Sequence, residues 1–244
     1  MNAHPSSAPF LILETGEPVA PLRRHGGFAH WLRHAAGLRA DAAVVCRVGF
    51  GEPLPRGEGF AGALVTGSAT MVTERRPWSE DCAAWLRDAH ARGLPLFGIC
   101  YGHQLLAHAL GGEVGNNPRG REMGTVEIRT EAAAADDPLF APLPPRFAAH
   151  ATHEQGVLAL PPGAVRLARS ALDDCQAFRL GASSWGVQFH PEFATLAMRG
   201  YIAARAGVLA AEGRDPQALQ AAVRPTPWAR SLLPRFVRHA RARG

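Results

Sequence analysis

The hydrophobic positions of the first half of the chain alternate between short apolar runs and longer segments with helical spacing. The apolar runs are four or five residues long and end in glycine or polar residues, which is typical of buried strands. Between them, apolar residues recur every three or four positions, which predicts amphipathic helices, and Ser79 stands where it could cap the second helix. The predicted strands are 10–13, 44–48, 63–66 and 95–99, and the predicted helices are 25–36 and 79–92.

Strands that alternate with helices in this way predict an α/β fold, with a mostly parallel central sheet and helices on both faces. The pattern changes after residue 125 to short strands at 126–128, 165–168, 177–179 and 185–189, and then to helices from 195 to 243. We therefore expect one α/β domain over 1–194 and a C-terminal helical extension over 195–244 that packs on the same domain.

The run Gly98-Ile99-Cys100-Tyr101-Gly102 follows a predicted strand and precedes a predicted helix. A strand, a sharp turn and a helix with glycines on both sides of one nucleophilic residue are the pattern of a nucleophile elbow. At the start of a helix, backbone N–H groups and the positive end of the helix dipole favour a thiolate. Most single cysteines are inert core residues, so Cys100 needs a partner before a catalytic role is indicated.

Such a partner follows the last predicted strand, in the run Gln188-Phe189-His190-Pro191-Glu192. A cysteine nucleophile requires a base that is near it in space, and the base requires a third group to orient it. If the two strand ends lie side by side, Cys100, His190 and Glu192 form a catalytic triad.

The segments 98–104 and 188–192 together resemble the class I, triad-type glutamine amidotransferases. The resemblance extends from about residue 10 to 193, and it is greatest to the glutaminase domain of GMP synthase and to free-standing γ-glutamyl peptidases. It implies a flavodoxin-like sheet and attack of Cys100 on the γ-carboxamide of glutamine or another γ-glutamyl compound. A γ-glutamyl thioester would form, and ammonia or an amine and then glutamate would be released.

The oxyanion of that reaction needs preorganised donors. The backbone N–H of Tyr101, which follows the nucleophile, is one candidate, and the backbone at Ser68 is the second. The family usually has Gly-Gly-Pro where this chain has Gly67-Ser68-Ala69. The resemblance also assigns Gly67 and Gln104 to the substrate glutamine.

The segment 152–157 resembles the loop that holds the amino and carboxylate groups of glutamine in the family. Thr152, His153, Glu154 and Gln155 are therefore candidate substrate-binding residues. Relatives often have aspartate where Gln155 stands, so the substrate is either free glutamine or another γ-glutamyl compound.

Composition narrows the remaining possibilities. The net charge of +5 is not spread over the chain but is concentrated after residue 223, where six arginines and no acidic residue occur. Because the rest of the chain carries no excess of positive charge, we interpret the tail as a solvated basic helix face and expect no nucleic-acid partner. Four widely spaced cysteines and no apparent signal or membrane segment predict a cytoplasmic protein. No metal or nucleotide motif is present, and we expect no cofactor.

Two alternatives remain open at this point. The chain could be a glutaminase subunit that delivers ammonia to a separate ATP-dependent synthetase, such as a GMP synthase-like partner, since it has no room for a synthetase module of its own. It could also be a catalytically silent binding module that keeps the fold.

Overall fold

A nine-stranded sheet runs through the molecule, for which a computed structural model describes residues 8–243. The strand order is β2-β1-β3-β4-β11-β10-β9-β6-β7, and a second sheet pairs β5 with β8. The strands are β1 (Phe10–Leu13), β2 (Ala43–Cys46), β3 (Gly62–Val65), β4 (Leu96–Ile99), β5 (Glu113–Asn116), β6 (Glu122–Thr130), β7 (Arg146–His153), β8 (Gln155–Ala159), β9 (Val165–Arg169), β10 (Ala177–Leu180) and β11 (Ser184–Val187).

Five neighbouring strands, from β2 to β11, are parallel, and the strands beyond β11 are antiparallel. The expected α/β fold with a parallel central sheet is therefore confirmed. The helices are α1 (Phe28–Ala35), α2 (Pro77–Ala91), α3 (Tyr101–Ala109), α4 (Thr195–Ala204), α5 (Ala206–Ala211), α6 (Pro216–Ala221), α7 (Pro227–Arg230) and α8 (Leu232–Arg241).

Helices cover both faces of the parallel strands because successive strand residues point to opposite faces. In β1, Phe10 and Ile12 join a core with α1 and α8, whereas Leu11 and Leu13 join a core with α2 and α3. All four residues of β1 are fully buried, so a continuous apolar run forms this strand rather than an alternating one.

Two predicted helix starts were wrong. The first helix begins at Phe28, where the Glu14 carboxylate accepts the backbone N–H of Ala29 at 2.9 Å; a 3₁₀ turn precedes it. The second begins at Pro77, whose fixed φ suits a first helical position, so Ser79 does not cap it. The Ser79 hydroxyl instead hydrogen-bonds the Tyr101 hydroxyl at 2.5 Å.

The segment 152–157 was expected to be a loop, but it forms the tight connection between β7 and β8. Strand β7 pairs with β6 from Arg146 to His153, and β8 pairs with β5. No glycine or proline separates the end of β7 at His153 from the start of β8 at Gln155, so the sequence carries no turn signal between these two strands, and both were missed.

The C-terminal residues contribute to the cores of the molecule. Phe236 of α8 lies 5.2 Å from Phe97 and 6.3 Å from Trp185, measured between ring centroids. Helix α4 packs Met198 and Tyr201 against Phe193, which precedes the predicted boundary at 194. The division of the chain at that boundary stays a prediction. Within residues 8–243 no helix is both long and apolar enough to cross a membrane.

Because Phe236 is fully buried against two central strands, we expect Phe236→Ala to lower the free energy of unfolding by about 3–5 kcal/mol. The exposed Val208→Ala in α5 serves as a control and should change it by less than about 0.5 kcal/mol. Urea denaturation of both variants measures the difference. Equal effects would show that α8 does not stabilise the sheet.

Candidate active site

Cys100 lies in the sharp connection between β4 and α3. Its backbone angles are φ 52° and ψ −101°, a conformation that side-chain-bearing residues rarely adopt. The neighbouring backbones are too close for side chains: a Cβ at Gly98 would overlap the Gly102 carbonyl, and a Cβ at Gly102 would overlap the Val65 carbonyl. The two glycines thus allow the strained elbow that places the thiol at the end of the sheet.

Three adjacent parallel strands position the residues of the site. Strand β4 pairs with β3 on one side and with β11 on the other, with Ile99 opposite Val187. Because the carboxyl ends of these strands coincide, Gly67, Cys100 and His190 follow them at one edge of the sheet. A Cβ at Gly67 would lie 3.0 Å from Cε1 of His190 and 3.7 Å from Cβ of Cys100, so the three residues converge.

His190 is oriented by the residues around it. Its Nδ1 lies 2.7 Å from Oε1 of Glu192, and its ring stacks on Phe193 with the centroids 4.1 Å apart. Both His190 and Glu192 are buried. No oxygen or nitrogen atom among residues 8–243 hydrogen-bonds Nε2 of His190, so this nitrogen is the one available to Cys100 and the substrate.

The electrostatics of the pair favour a thiolate and an imidazolium. Burial is the largest single influence and raises the pKa of the Cys100 thiol, but His190 and His153 together outweigh it, and the pKa lies below that of an ordinary thiol. Burial likewise opposes the charge on His190, but Glu192 and Cys100 raise its pKa to about 10. The pair therefore holds the nucleophilic form of the cysteine at neutral pH.

Two cavities open at Cys100. The first, which we call the hairpin chamber, measures about 80 Å³ and is lined by Met71, Gln104, His153, Glu154 and Gln155. The second, which we call the histidine chamber, measures about 120 Å³ and is lined by His190, Phe28 and Tyr201. Ser68, Ala69, Cys100, Thr152 and Arg205 line both chambers.

The loop after β3 carries the candidate oxyanion donors. Neither the backbone N–H of Ser68 nor that of Tyr101 donates to a protein acceptor within residues 8–243. The loop is held from β1, because the Thr15 hydroxyl reaches the carbonyls of Thr66 and Gly67, each at 3.0 Å. Thr15 was missed in the sequence, although it follows a strand at the edge where ligands bind in such sheets.

The predicted substrate-binding residues differ in what they offer. Nε2 of Gln104 donates inward to the Gln155 carbonyl at 2.7 Å and to Oε1 of Gln188 at 2.9 Å. The Thr152 carbonyl lies 4.0 Å from the Cys100 sulfur. The Glu154 carboxylate pairs with Arg121 at 2.7 Å and is partly exposed. All of these residues except Gln188 line the hairpin chamber.

His153 has no free ring nitrogen with which to contact a substrate. Its Nε2 lies 3.1 Å from the Glu122 carboxylate, and its Nδ1 lies 3.0 Å from the Gln155 carbonyl. Burial lowers the pKa of His153, but Glu122 and Asp173 outweigh burial and raise it. The resulting positive charge also lowers the pKa of Cys100. The position of His153 therefore favours an electrostatic contribution to the site over direct contact with substrate.

No group of three or more histidine, cysteine or carboxylate side chains is arranged to hold a metal ion in the part of the chain that the structure describes. All four cysteines are unpaired. Burial raises the pKa of the other three thiols, that of Cys82 to about 12. Cys100 is therefore the thiol with the greatest nucleophilic character at neutral pH.

Comparison with known proteins agrees with this fold. Residues 52–205 match the model of the family described as glutamine amidotransferase class-I, which is more than half of the chain. The chain belongs to the class I glutamine amidotransferase family.

Sequence relatives are named as GMP synthases. The chain is 41% identical over 204 residues to the glutamine-hydrolyzing GMP synthase of Thermomicrobium roseum, covering 79% of this chain and 34% of that protein. It is 31% identical over 173 residues to a glutamine-hydrolyzing GMP synthase subunit from Halobacterium salinarum, covering 70% of this chain and 86% of that relative. The chain thus spans about a third of the length of the first relative.

Solved structures share the fold. A glutamine amidotransferase from Thermotoga maritima superposes with a TM-score of 0.75 at 22% identity, over 95% of this chain and 98% of that one. A glutamine amido transferase from Methylobacillus flagellatus superposes with a TM-score of 0.71 at 22% identity, over 97% of this chain and 96% of that one.

The lowered pKa of Cys100 predicts how its alkylation depends on pH. Because the thiolate persists below the ordinary thiol pKa, iodoacetamide should modify Cys100 at neutral pH and should lose reactivity only as acid protonates the thiolate. His190→Ala removes the cation and should move the reactivity of Cys100 to alkaline pH. Mass spectrometry of the Cys100 peptide measures both profiles, with the Cys82 peptide as an internal control. Identical profiles in the two proteins would refute the ion pair.

Proposed function

We propose that this protein is a cysteine-dependent amidohydrolase that cleaves the γ-amide bond of glutamine or of another γ-glutamyl compound. The observation that carries the proposal is a cysteine in a strained elbow beside a histidine that a buried glutamate holds at 2.7 Å. Membership of the class I glutamine amidotransferase family and the GMP synthase names of the relatives support the same reaction.

The first half of the reaction follows from the positions of Cys100 and His190. The thiolate attacks the γ-carbonyl carbon, and a C–S bond forms while the oxygen becomes an oxyanion. The backbone N–H groups of Ser68 and Tyr101 are suited to bind that oxyanion. The imidazolium of His190 gives its proton to the amide nitrogen, the C–N bond breaks, and ammonia or an amine leaves.

The second half regenerates the enzyme. His190, now neutral, takes a proton from water, and the hydroxide attacks the γ-glutamyl thioester. The C–S bond breaks, glutamate is released, and the thiolate and the imidazolium are restored. Glu192 keeps the same tautomer and orientation of His190 in both halves, because its carboxylate binds Nδ1 throughout.

Loss of the nucleophile should abolish this activity. We expect Cys100→Ala to reduce release of ammonia from glutamine on the order of 10⁶-fold, to background. Glu192→Gln, which keeps the shape but not the charge, should lower kcat by up to about 10⁴-fold. A coupled assay for ammonia and glutamate measures both variants. Activity that survives Cys100→Ala would disprove the proposal, and so would a wild-type protein that cleaves no γ-glutamyl amide.

A second candidate function is that of a glutaminase component for a separate ATP-dependent synthetase. The observation that favours it is the name of the Halobacterium salinarum relative, one subunit of a GMP synthase, most of whose length this chain covers. In that case an ATP-using protein should co-purify with this chain from its native cells and should raise its glutaminase activity.

The synthetase hypothesis makes a separate prediction about ammonia. The complex containing Cys100→Ala should lose glutamine-dependent synthesis but keep synthesis from added ammonium chloride, because only the supply of ammonia is removed. If no ATP-using protein is recovered, and glutaminase activity is already full in the isolated chain, the free-standing hydrolase is favoured. Cytoplasmic location stays a prediction from the cysteine usage.

A further inference from the structure

Among the arginines that line the hairpin chamber and the histidine chamber, Arg205 is the one whose side chain has no protein partner within the described residues. It lies between α4 and α5 and lines both the hairpin chamber and the histidine chamber. Within residues 8–243, Arg121 pairs with Glu154 and Glu212, and Arg23 pairs with Glu17, whereas the Arg205 side chain makes no ion pair or hydrogen bond. Its Nε atom is also shielded from solvent.

An unpaired guanidinium at such a place is costly in the free protein. The Nε–H of Arg205 is shielded from water and has no protein acceptor among the described residues, and the half-buried charge loses part of its hydration. A carboxylate can receive two parallel hydrogen bonds from one guanidinium and neutralises its charge. Arg205 is therefore suited to bind a carboxylate that arrives with the substrate.

The hairpin chamber also offers a group for the opposite charge. Nε2 of Gln155 is fixed by the Thr73 hydroxyl at 2.7 Å and by Oδ1 of Asn116 at 3.0 Å. These bonds determine which way the amide faces, and Oε1 of Gln155 is buried without a partner among the described residues. An ammonium group can donate to this oxygen. A cation and a free acceptor in one chamber match the zwitterionic end of an α-amino acid.

We propose that Arg205 binds the α-carboxylate of the γ-glutamyl donor and so restricts the substrates to compounds with a free α-carboxylate. This inference rests on the proposed function, since it concerns the same reaction. The γ-carbonyl would then lie at Cys100 with the α-carbon in the hairpin chamber, and the leaving amine would lie in the histidine chamber beside His190. In this arrangement Arg205 is a specificity-determining residue that lies outside the elbow and the triad.

The alternative hypothesis is that Arg205 binds a carboxylate on the leaving amine, as in a γ-glutamyl peptide. The hairpin chamber is favoured because it also holds the unpartnered side-chain oxygen of Gln155, which suits the ammonium group that the γ-glutamyl moiety carries beside its α-carboxylate. If Arg205 binds the α-carboxylate, its loss should affect every substrate with a free α-carboxylate. If it binds the leaving amine, its loss should affect only substrates whose leaving amine carries a carboxylate, so one experiment separates the two hypotheses.

The experiment compares L-glutamine, its α-amide L-glutaminamide and γ-glutamylglycine as substrates. In the wild-type protein, kcat/KM for glutamine should exceed that for the α-amide. Arg205→Ala should raise KM for glutamine and for γ-glutamylglycine by about 10- to 100-fold and leave the α-amide unchanged, so that the preference disappears. Arg205→Lys keeps the charge but not the paired donors and should restore part of the preference.

Arg199→Ala is the matched control, because Arg199 is an exposed arginine of α4, the helix that ends just before Arg205, and it lines neither chamber. It should leave all three substrates unchanged. An equal loss for glutamine and its α-amide in Arg205→Ala would overturn the proposal in favour of a structural role. A loss confined to γ-glutamylglycine would overturn it in favour of leaving-group recognition.

Equilibrium binding gives a readout that does not depend on turnover. Calorimetry of glutamate with Cys100→Ala and with the double variant Cys100→Ala/Arg205→Ala should show about 10- to 100-fold weaker binding in the second. Equal affinities would overturn the proposal for Arg205. A wild-type protein that cleaves none of the three substrates would instead refute the proposed function, so the two failures are distinguishable. If Arg205→Ala does not fold, Arg205→Gln carries the same tests.

Discussion

The close approach of three backbone segments around Cys100 is the constraint on which the site depends. Strand β3, strand β4 and the first turn of α3 are so near one another that Gly98 and Gly102 have no space for a Cβ. The chain can leave the sheet and begin the helix there only by forcing Cys100 into a strained conformation with positive φ. That strain presents the thiol at the edge of the sheet and brings it to the free N–H groups of the helix start.

Two buried histidine–carboxylate pairs lie near this elbow. His190 lies beside the thiol, Glu192 binds Nδ1 of His190, and a second buried pair is formed by His153 and Glu122. Each buried charge has an opposite charge close by, which is the condition for keeping such groups ionised away from water. Two histidines therefore lower the pKa of Cys100: His190, whose Nδ1 is bound to Glu192, and His153, both of whose ring nitrogens are engaged by protein groups.

The C-terminal helices contribute to both stability and the cleft. Helix α8 covers the apolar face formed by Phe10, Phe97 and Trp185, and without it that face would be exposed to water. The junction of α4 and α5 places Arg205 in the lining of both chambers. A segment that has the sequence pattern of an appended helical tail thus forms one layer of the fold and one wall of the candidate active site.

The sequence by itself determined the strand–helix alternation, the elbow at Cys100 and the pairing of His190 with Glu192, because each depends on residues near one another in the chain or on a short motif. Only the tertiary structure decided that the side-chain oxygen of Gln155 is buried without a partner, that His153 is engaged by Glu122 and that Arg205 is left unpaired. Those outcomes depend on contacts between residues tens of positions apart. Local spacing carries no information about such contacts, since the partners of a buried polar group are set by the packing of the elements around it.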